Sequence, residues 1–140
     1  MKIQVDDKGF TFGDHRFFFD LYYFDNDEWQ APTSADTFNM MLLKWAGVLE
    51  GFNDPTSPVF LPFAPYDESI ECLRATYWEN DKLTFSWVEI GAAGWDVDLT
   101  DIQAFSTKAY TLYRESPEFG ECYKNEVISA LISAEIINGL

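Results

Sequence analysis

Histidine occurs once in the 140 residues, cysteine twice, and lysine plus arginine only 9 times. Each scarcity removes a class of function. One histidine with two distant cysteines, Cys72 and Cys122, makes a poor tetrahedral zinc set. Two thiols without C-x-x-C spacing give no disulfide framework and fit a reducing compartment. Met1-Lys2-Ile3-Gln4-Val5-Asp6-Asp7 lacks the apolar core of a signal peptide, so a cytoplasmic location is expected. No apolar run approaches the ~20 residues of a membrane span. Gly91-Ala92-Ala93-Gly94 is not followed by Lys-Ser/Thr, which excludes a phosphate loop, and no G-x-S-x-G elbow supplies a nucleophile. Set against 24 acidic residues, the few bases leave a net charge of −15. That field repels phosphate backbones and anionic headgroups. Nucleic acid and membrane surfaces are therefore not expected as direct partners. A basic macromolecule is.

What the chain has in excess is aromatic surface, 18 % of residues, where acidic disordered chains are poor in it. One folded domain over residues 1–140 is expected. Ile3–Val5 and Phe10–Phe12 read as strands joined by a tight turn at Asp6-Asp7-Lys8-Gly9. Arg16–Phe24 reads as a longer strand with Phe17, Phe19, Leu21 and Tyr23 on one face. Phe18, Tyr22 and Phe24 make the second face partly covered as well. Thr33 and Asp36 have capping-box spacing ahead of a helix over Ser34–Glu50. Its Phe38, Met41, Leu42, Trp45 and Leu49 share a face, and Gly51 ends it. Four prolines between Asn53 and Pro65 predict an ordered connection or an irregular edge strand around Val59–Phe63, and not a central strand.

Ile70–Trp78 and Leu83–Ile90 form a hairpin about Glu79-Asn80-Asp81-Lys82. Trp95, Val97 and Leu99, alternating with Asp96 and Asp98, predict a half-buried strand. Between Thr100 and Arg114, Ile102, Phe105, Leu112 and Tyr113 suit a helix capped by Thr100 or Asp101. The Thr, Ala and Tyr content also tolerates a strand, and the helix is preferred. Ser116-Pro117-Glu118 predicts a helix start with Glu118 and Glu121 in its first turn, its apolar face running from Cys122 to Ile137. The order βββ-α-ββββ-α(α) is an α+β fold, with antiparallel sheet and packed helices.

No constellation declares an enzyme, and no cofactor or metal is expected. His15, beside Gly13 and Asp14, reads as a turn histidine more readily than as a general base. Asp96, Asp98 and Asp101 form D-x-D-x-x-D, but Thr100, Asp101 and Thr107 stand where a calcium loop needs an acid, a glycine and a glutamate. So many carboxylates always offer some pair for acid/base chemistry, and this abundance deprives any pair of weight. Acids interleaved with large aromatics remain. The densest run is Tyr22 to Trp29, followed by Pro65-Tyr66-Asp67-Glu68 and Tyr77-Trp78-Glu79-Asn80-Asp81. Tyr and Trp supply anchor area at an interface and carboxylates steer a basic partner.

The aromatic strand leading to an acidic loop, the helix with Lys44-Trp45 and Leu49-Glu50-Gly51, and the hairpin containing Phe85-Ser86-Trp87-Val88 resemble bacterial immunity proteins. These belong to contact-dependent growth inhibition and related polymorphic toxin systems. The resemblance extends through the C-terminal helix and is nearest to the subset whose elements alternate as in the Whirly fold. It implies a non-enzymatic, cytosolic inhibitor that occludes the active site of a cognate basic toxin, a nuclease in the leading case. Candidate contact residues are Asp25, Asp27, Glu28 and Trp29, then Asp67, Glu68, Glu79 and Asp81. An acidic adaptor or dimerisation module for a basic peptide or protein, and a small Asp/Glu acid/base enzyme, are the alternatives.

Overall fold

A computed structural model describes residues 1–20 and 33–137. The chain opens with β1 (Ile3–Val5), β2 (Gly9–Phe12) and β3 (His15–Phe18), each antiparallel to the last. Asp6 makes the first turn, its Oδ1 accepting the N–H groups of Lys8 and Gly9 at 2.9 and 3.0 Å. Arg16 closes on the same carboxylate at 2.7 Å. Gly9 is required there, since a Cβ would stand 2.1 Å from the Phe17 carbonyl oxygen. β3 is shorter than the Arg16–Phe24 strand predicted above. Its partner β2 begins at Gly9, opposite Phe18, so pairing ends there. The second face is not covered at Phe18, which is 63 % exposed beneath the Arg16 guanidinium. Residues 21–24 of the predicted strand lie outside the described residues.

Helix α1 (Ser34–Glu50) forms where the capping pattern places it. Thr33 Oγ1 accepts the Asp36 N–H at 3.1 Å and donates its own proton to Asp36 Oδ2 at 2.8 Å. Phe38, Met41, Leu42, Trp45 and Leu49 are all buried, and the Trp45 indole N–H donates to the Pro62 carbonyl at 3.2 Å. That carbonyl belongs to β4 (Val59–Pro65), the proline-rich edge of a second sheet, bulged between Pro62 and Ala64. β5 (Ile70–Tyr77) and β6 (Lys82–Ile90) continue it as an antiparallel meander.

After β6 individual elements differ from those predicted. No strand forms over residues 95–99; two single-turn 3₁₀ helices, Gly94–Asp96 and Leu99–Asp101, stand there instead. The aspartates cause it. Asp96 accepts from the Ala93 N–H, Asp98 from the N–H and hydroxyl of Thr100, and Asp101 from the Ala104 N–H. Carboxylates bonded to nearby amides favour turns over ladders. Trp95, predicted to face the core, is 66 % exposed. The helix preferred for residues 100–114 shrinks to α2 (Ile102–Ser106), capped by Asp101, and Leu112–Glu115 becomes strand β7.

The helix predicted to start at Ser116-Pro117 is replaced by strand β8 (Phe119–Tyr123). β7 and β8 pair with opposite ends of β6 as one edge strand interrupted at Pro117, which has no N–H to donate. Ser116 fills the gap, exchanging bonds with Trp87 through its own N–H and Oγ. Gly120, at φ +68°, lies beside a register shift in the pairing and takes the left-handed backbone that such a bulge uses. Only then does α3 (Lys124–Ile132) begin, followed by β9 (Glu135–Ile136), which returns parallel to β1.

The result is α+β, with sheets ordered β3-β2-β1-β9 and β4-β5-β6-β7. One core joins them. Phe10 touches Phe38 and Trp45 of α1 and Phe63 of β4, while Phe12 meets Phe85 of β6 and Phe119 of β8. Among the described residues no helix is long and apolar enough to cross a membrane.

Candidate functional site

The described candidate residues fall at the two ends of β5. Asp67 and Glu68 occupy the β4–β5 turn, closed by the Tyr66 N–H on the Ser69 carbonyl at 2.8 Å. Glu79 and Asp81 occupy the β5–β6 turn. The eight residues between set these turns roughly 25 Å apart. Asp25, Asp27, Glu28 and Trp29 lie outside the described residues.

At the Asp67 end the neighbouring carboxylates are already engaged. Glu71 and Glu89 stand directly opposite in the β5–β6 register, an arrangement that repels unless each is compensated. Glu71 accepts from the Tyr66 hydroxyl at 2.6 Å and the Trp87 indole N–H at 3.0 Å. Glu89 accepts two bonds from Arg114, at 3.1 and 3.2 Å, and that guanidinium stacks on Trp87. Burial, and then the Glu71 carboxylate, hold the Tyr66 hydroxyl far above the ordinary phenol range, so it remains a donor.

The other end is built differently. The β5–β6 turn carries Asn80 at φ 52° and Asp81 at φ 62°, a left-handed pair that these residue types tolerate. Asp81 locks it: its Oδ1 accepts the Tyr77 hydroxyl proton at 2.9 Å and its N–H donates back to the Tyr77 oxygen at 3.0 Å. Lys124 braces the turn from α3. Its ammonium lies 3.7 Å from the Asp81 carboxylate and donates to the carbonyls of Glu50 and Phe52 at the end of α1.

Beside this turn opens a cleft of about 480 Å³ lined by Trp78, Glu79, Lys82, Thr84, Glu118 and Glu121. Trp78 forms one wall, half-exposed, with its indole N–H tied to Thr84 Oγ1 at 2.9 Å. Lys82 pairs with Glu121, and that bond raises the lysine above its usual range. Three carboxylates thus face one ammonium that is already paired. An indole and the Glu79 and Glu118 carboxylates line one concavity, a combination that suits a cation.

Of the predicted residues that are described, only Glu79 lines this cleft, and Asp81 holds the turn beside it. Glu118 and Glu121 belong by sequence pattern to the first turn of a helix, and the pairing of β8 with β6 brings them here instead. Trp78 was visible as a tryptophan beside turn acids. His15 is exposed and stacks on Phe119 with ring centroids 4.1 Å apart. Burial raises both thiols, Cys122 to about 11 with help from Glu126, so neither is a thiolate at neutral pH, and the two are not bridged.

Comparison with protein-family models, curated proteins and solved structures finds no match to this chain. The chemistry of the cleft therefore carries the functional reading.

Proposed function

We propose that this chain binds a basic protein and that the Trp78 cleft receives an arginine or lysine of that partner. The observation that carries the reading is the pairing of a half-exposed indole with Glu79, Glu118 and Glu121 around one neutralised lysine. A guanidinium over an indole face is worth about 0.5–2 kcal/mol, and Trp and Arg are enriched among interface hot spots. The net charge of −15 adds long-range steering, which accelerates encounter and fades with salt.

The resemblance to immunity proteins supplies the partner class. A nuclease toxin carries positive charge where it holds phosphates, and an acidic cleft with an aromatic wall suits that surface. On this reading the protein neutralises a cognate toxin domain by covering its active site. Glu79 makes direct contact and Asp81 holds the turn, while Asp25, Asp27, Glu28, Trp29, Asp67 and Glu68 remain proposed contributors.

The test is co-expression with the product of the neighbouring upstream reading frame. A salt-sensitive complex and rescue of growth are expected. Trp78→Ala should weaken the complex by at least about 30-fold, the size of an interface hot spot. Absence of both complex and rescue refutes the immunity reading. Binding to basic peptides without rescue identifies an adaptor instead.

A further inference from the structure

A second cavity is lined by bases and not by acids among the described residues. It measures about 290 Å³ and lies between β4, the α2–β7 connection and β5. Among the described residues Arg74 and Lys108 line it, and no carboxylate does. In a chain with 24 acids and 9 bases, a concavity holding two cations and no acid runs against composition.

Arg74 is the decisive residue. It lies in register with Phe60 of β4 and Ser86 of β6, near the middle of its sheet. One terminal nitrogen pairs with Glu115 at 2.9 Å, but its Nε is buried with no hydrogen-bond partner. The Ser86 hydroxyl beside it in register is likewise buried and unpartnered. Unpartnered buried polar groups are rare in folded proteins. Both atoms are closed to solvent and set a polar floor behind the cavity, while the Arg74 side chain itself lines it. Lys108 makes no ion pair among the described residues. The remaining walls are mixed: Phe60, Leu112 and the ring of Tyr110 are apolar, the Tyr110 hydroxyl being committed to the Phe105 carbonyl at 2.6 Å, while Thr56, Ser57 and Thr107 add hydroxyls.

We infer that this cavity binds a small organic anion, its oxyanion held by Arg74 and Lys108 and its apolar body lying against Phe60, Tyr110 and Leu112. Size agrees: a cavity of about 150 Å³ accommodates benzene, so the space here takes one ring with one acidic group. The net charge of −15 does not forbid it, because at physiological salt charges beyond about 8 Å are screened. The nearer Glu115 carboxylate, 2.9 Å from one Arg74 terminal nitrogen, offsets part of that residue's charge and leaves Lys108 as the cation without an ion pair among the described residues. The site is independent of the Trp78 cleft, and its failure would leave the proposed function untouched.

Benzoate, phenyl phosphate and neutral benzamide, titrated into the full chain and followed by amide chemical shifts, test it. Benzoate or phenyl phosphate should move the resonances of Ser57, Arg74, Lys108 and Tyr110 with saturation in the millimolar range, and whichever binds names the oxyanion. Benzamide should not bind. Lys108 is exposed, so Lys108→Gln keeps the fold and should weaken the anion about tenfold, the worth of one charge-assisted bond. Equal binding of benzamide, an affinity unmoved by Lys108→Gln, or no response to either anion overturns the inference.

Discussion

Lys124 offers the sharpest test of how the candidate cleft is held. Its side chain is largely buried, and its ammonium reaches the Glu50 and Phe52 carbonyls at 3.3 and 3.2 Å and Asp81 at 3.7 Å. A cation at a helix C-terminus contributes up to ~2 kcal/mol when partly buried. The Glu50 bond is exposed, so water can replace it, whereas the Phe52 bond is partly buried and less readily replaced. The Asp81 contact is long and its carboxylate half-exposed, placing it among pairs worth about 0–1 kcal/mol. Lys124→Met, which keeps the apolar stem, should therefore cost about 2 kcal/mol, and Asp81→Asn only ~0.5 kcal/mol. Urea unfolding followed by tryptophan fluorescence should show the midpoint falling by roughly 1 M for Lys124→Met with an unchanged slope. Amide exchange should quicken at the end of α1 and in the β5–β6 turn. A loss under ~0.5 kcal/mol, or Asp81→Asn matching Lys124→Met, refutes the assignment of Lys124 as the brace.

Phe10, fully buried among four aromatic rings, should cost about 3–5 kcal/mol on truncation to alanine, while Phe18→Ala stays within ~0.5 kcal/mol; similar losses for the two would contradict the packing. With Cys72 buried and Cys122 raised to about 11, both thiols should react with Ellman's reagent at pH 8 at least ~100-fold more slowly in native than in unfolded protein, and prompt native labelling of either would contradict that. Turn hydrogen bonds lower three aspartates: Thr100 acts on Asp98, Thr56 on Asp54, and for Asp6 the amides of Lys8 and Gly9 with Arg16 outweigh burial. Folded values below unfolded ones mean the unfolded chain binds more protons in acid, so their contribution is complete above about pH 4 and disappears as pH falls through the folded values. Asp6→Asn should flatten that limb of urea midpoint against pH between about 2 and 4, and an unaltered limb would show that Asp6 is not coupled to folding.

Local chemistry made α1 legible, because its cap, its apolar spacing and its stop all lie within twenty residues of one another. Two of the departures fall where a local pattern serves two structures. Alternation at Trp95-Asp96-Val97-Asp98 fits a strand, yet each aspartate can also cap a turn, and backbone amides within reach decided it. Ser-Pro-Glu fits a helix start and equally the break in an edge strand, and the free edge of β6 decided that. The first deciding fact is a local side-chain-to-backbone competition; the second is tertiary. The cleft follows the same division: Trp78 and Glu79 are neighbours in sequence, whereas Glu118 and Glu121 arrive only through strand pairing. Arg74 gave no signal at all, since a basic residue in an alternating strand reads as solvent-facing until its neighbours Phe60 and Ser86 are known.

The two ends of β5 also show why net charge alone is a poor guide to an interface. Both turns carry acids, and from the sequence they were equivalent. At the Asp67 end, Tyr66, Trp87, Ser69 and Arg114 answer the adjoining Glu71 and Glu89 from within the chain. A partner cation there would have to compete with donors already in place and recover their desolvation. At the Glu79 end, Lys82 answers Glu121, and the Trp78 ring remains accessible beside Glu79 and Glu118. A cation arriving there gains Coulombic and ring contacts without displacing an internal bond. Variants at the two ends therefore separate steering from contact. Glu68→Lys should slow association by reducing the field and leave dissociation nearly unchanged, while Trp78→Ala should act on dissociation. If both changed only the association rate, the cleft would be part of the field and not the contact.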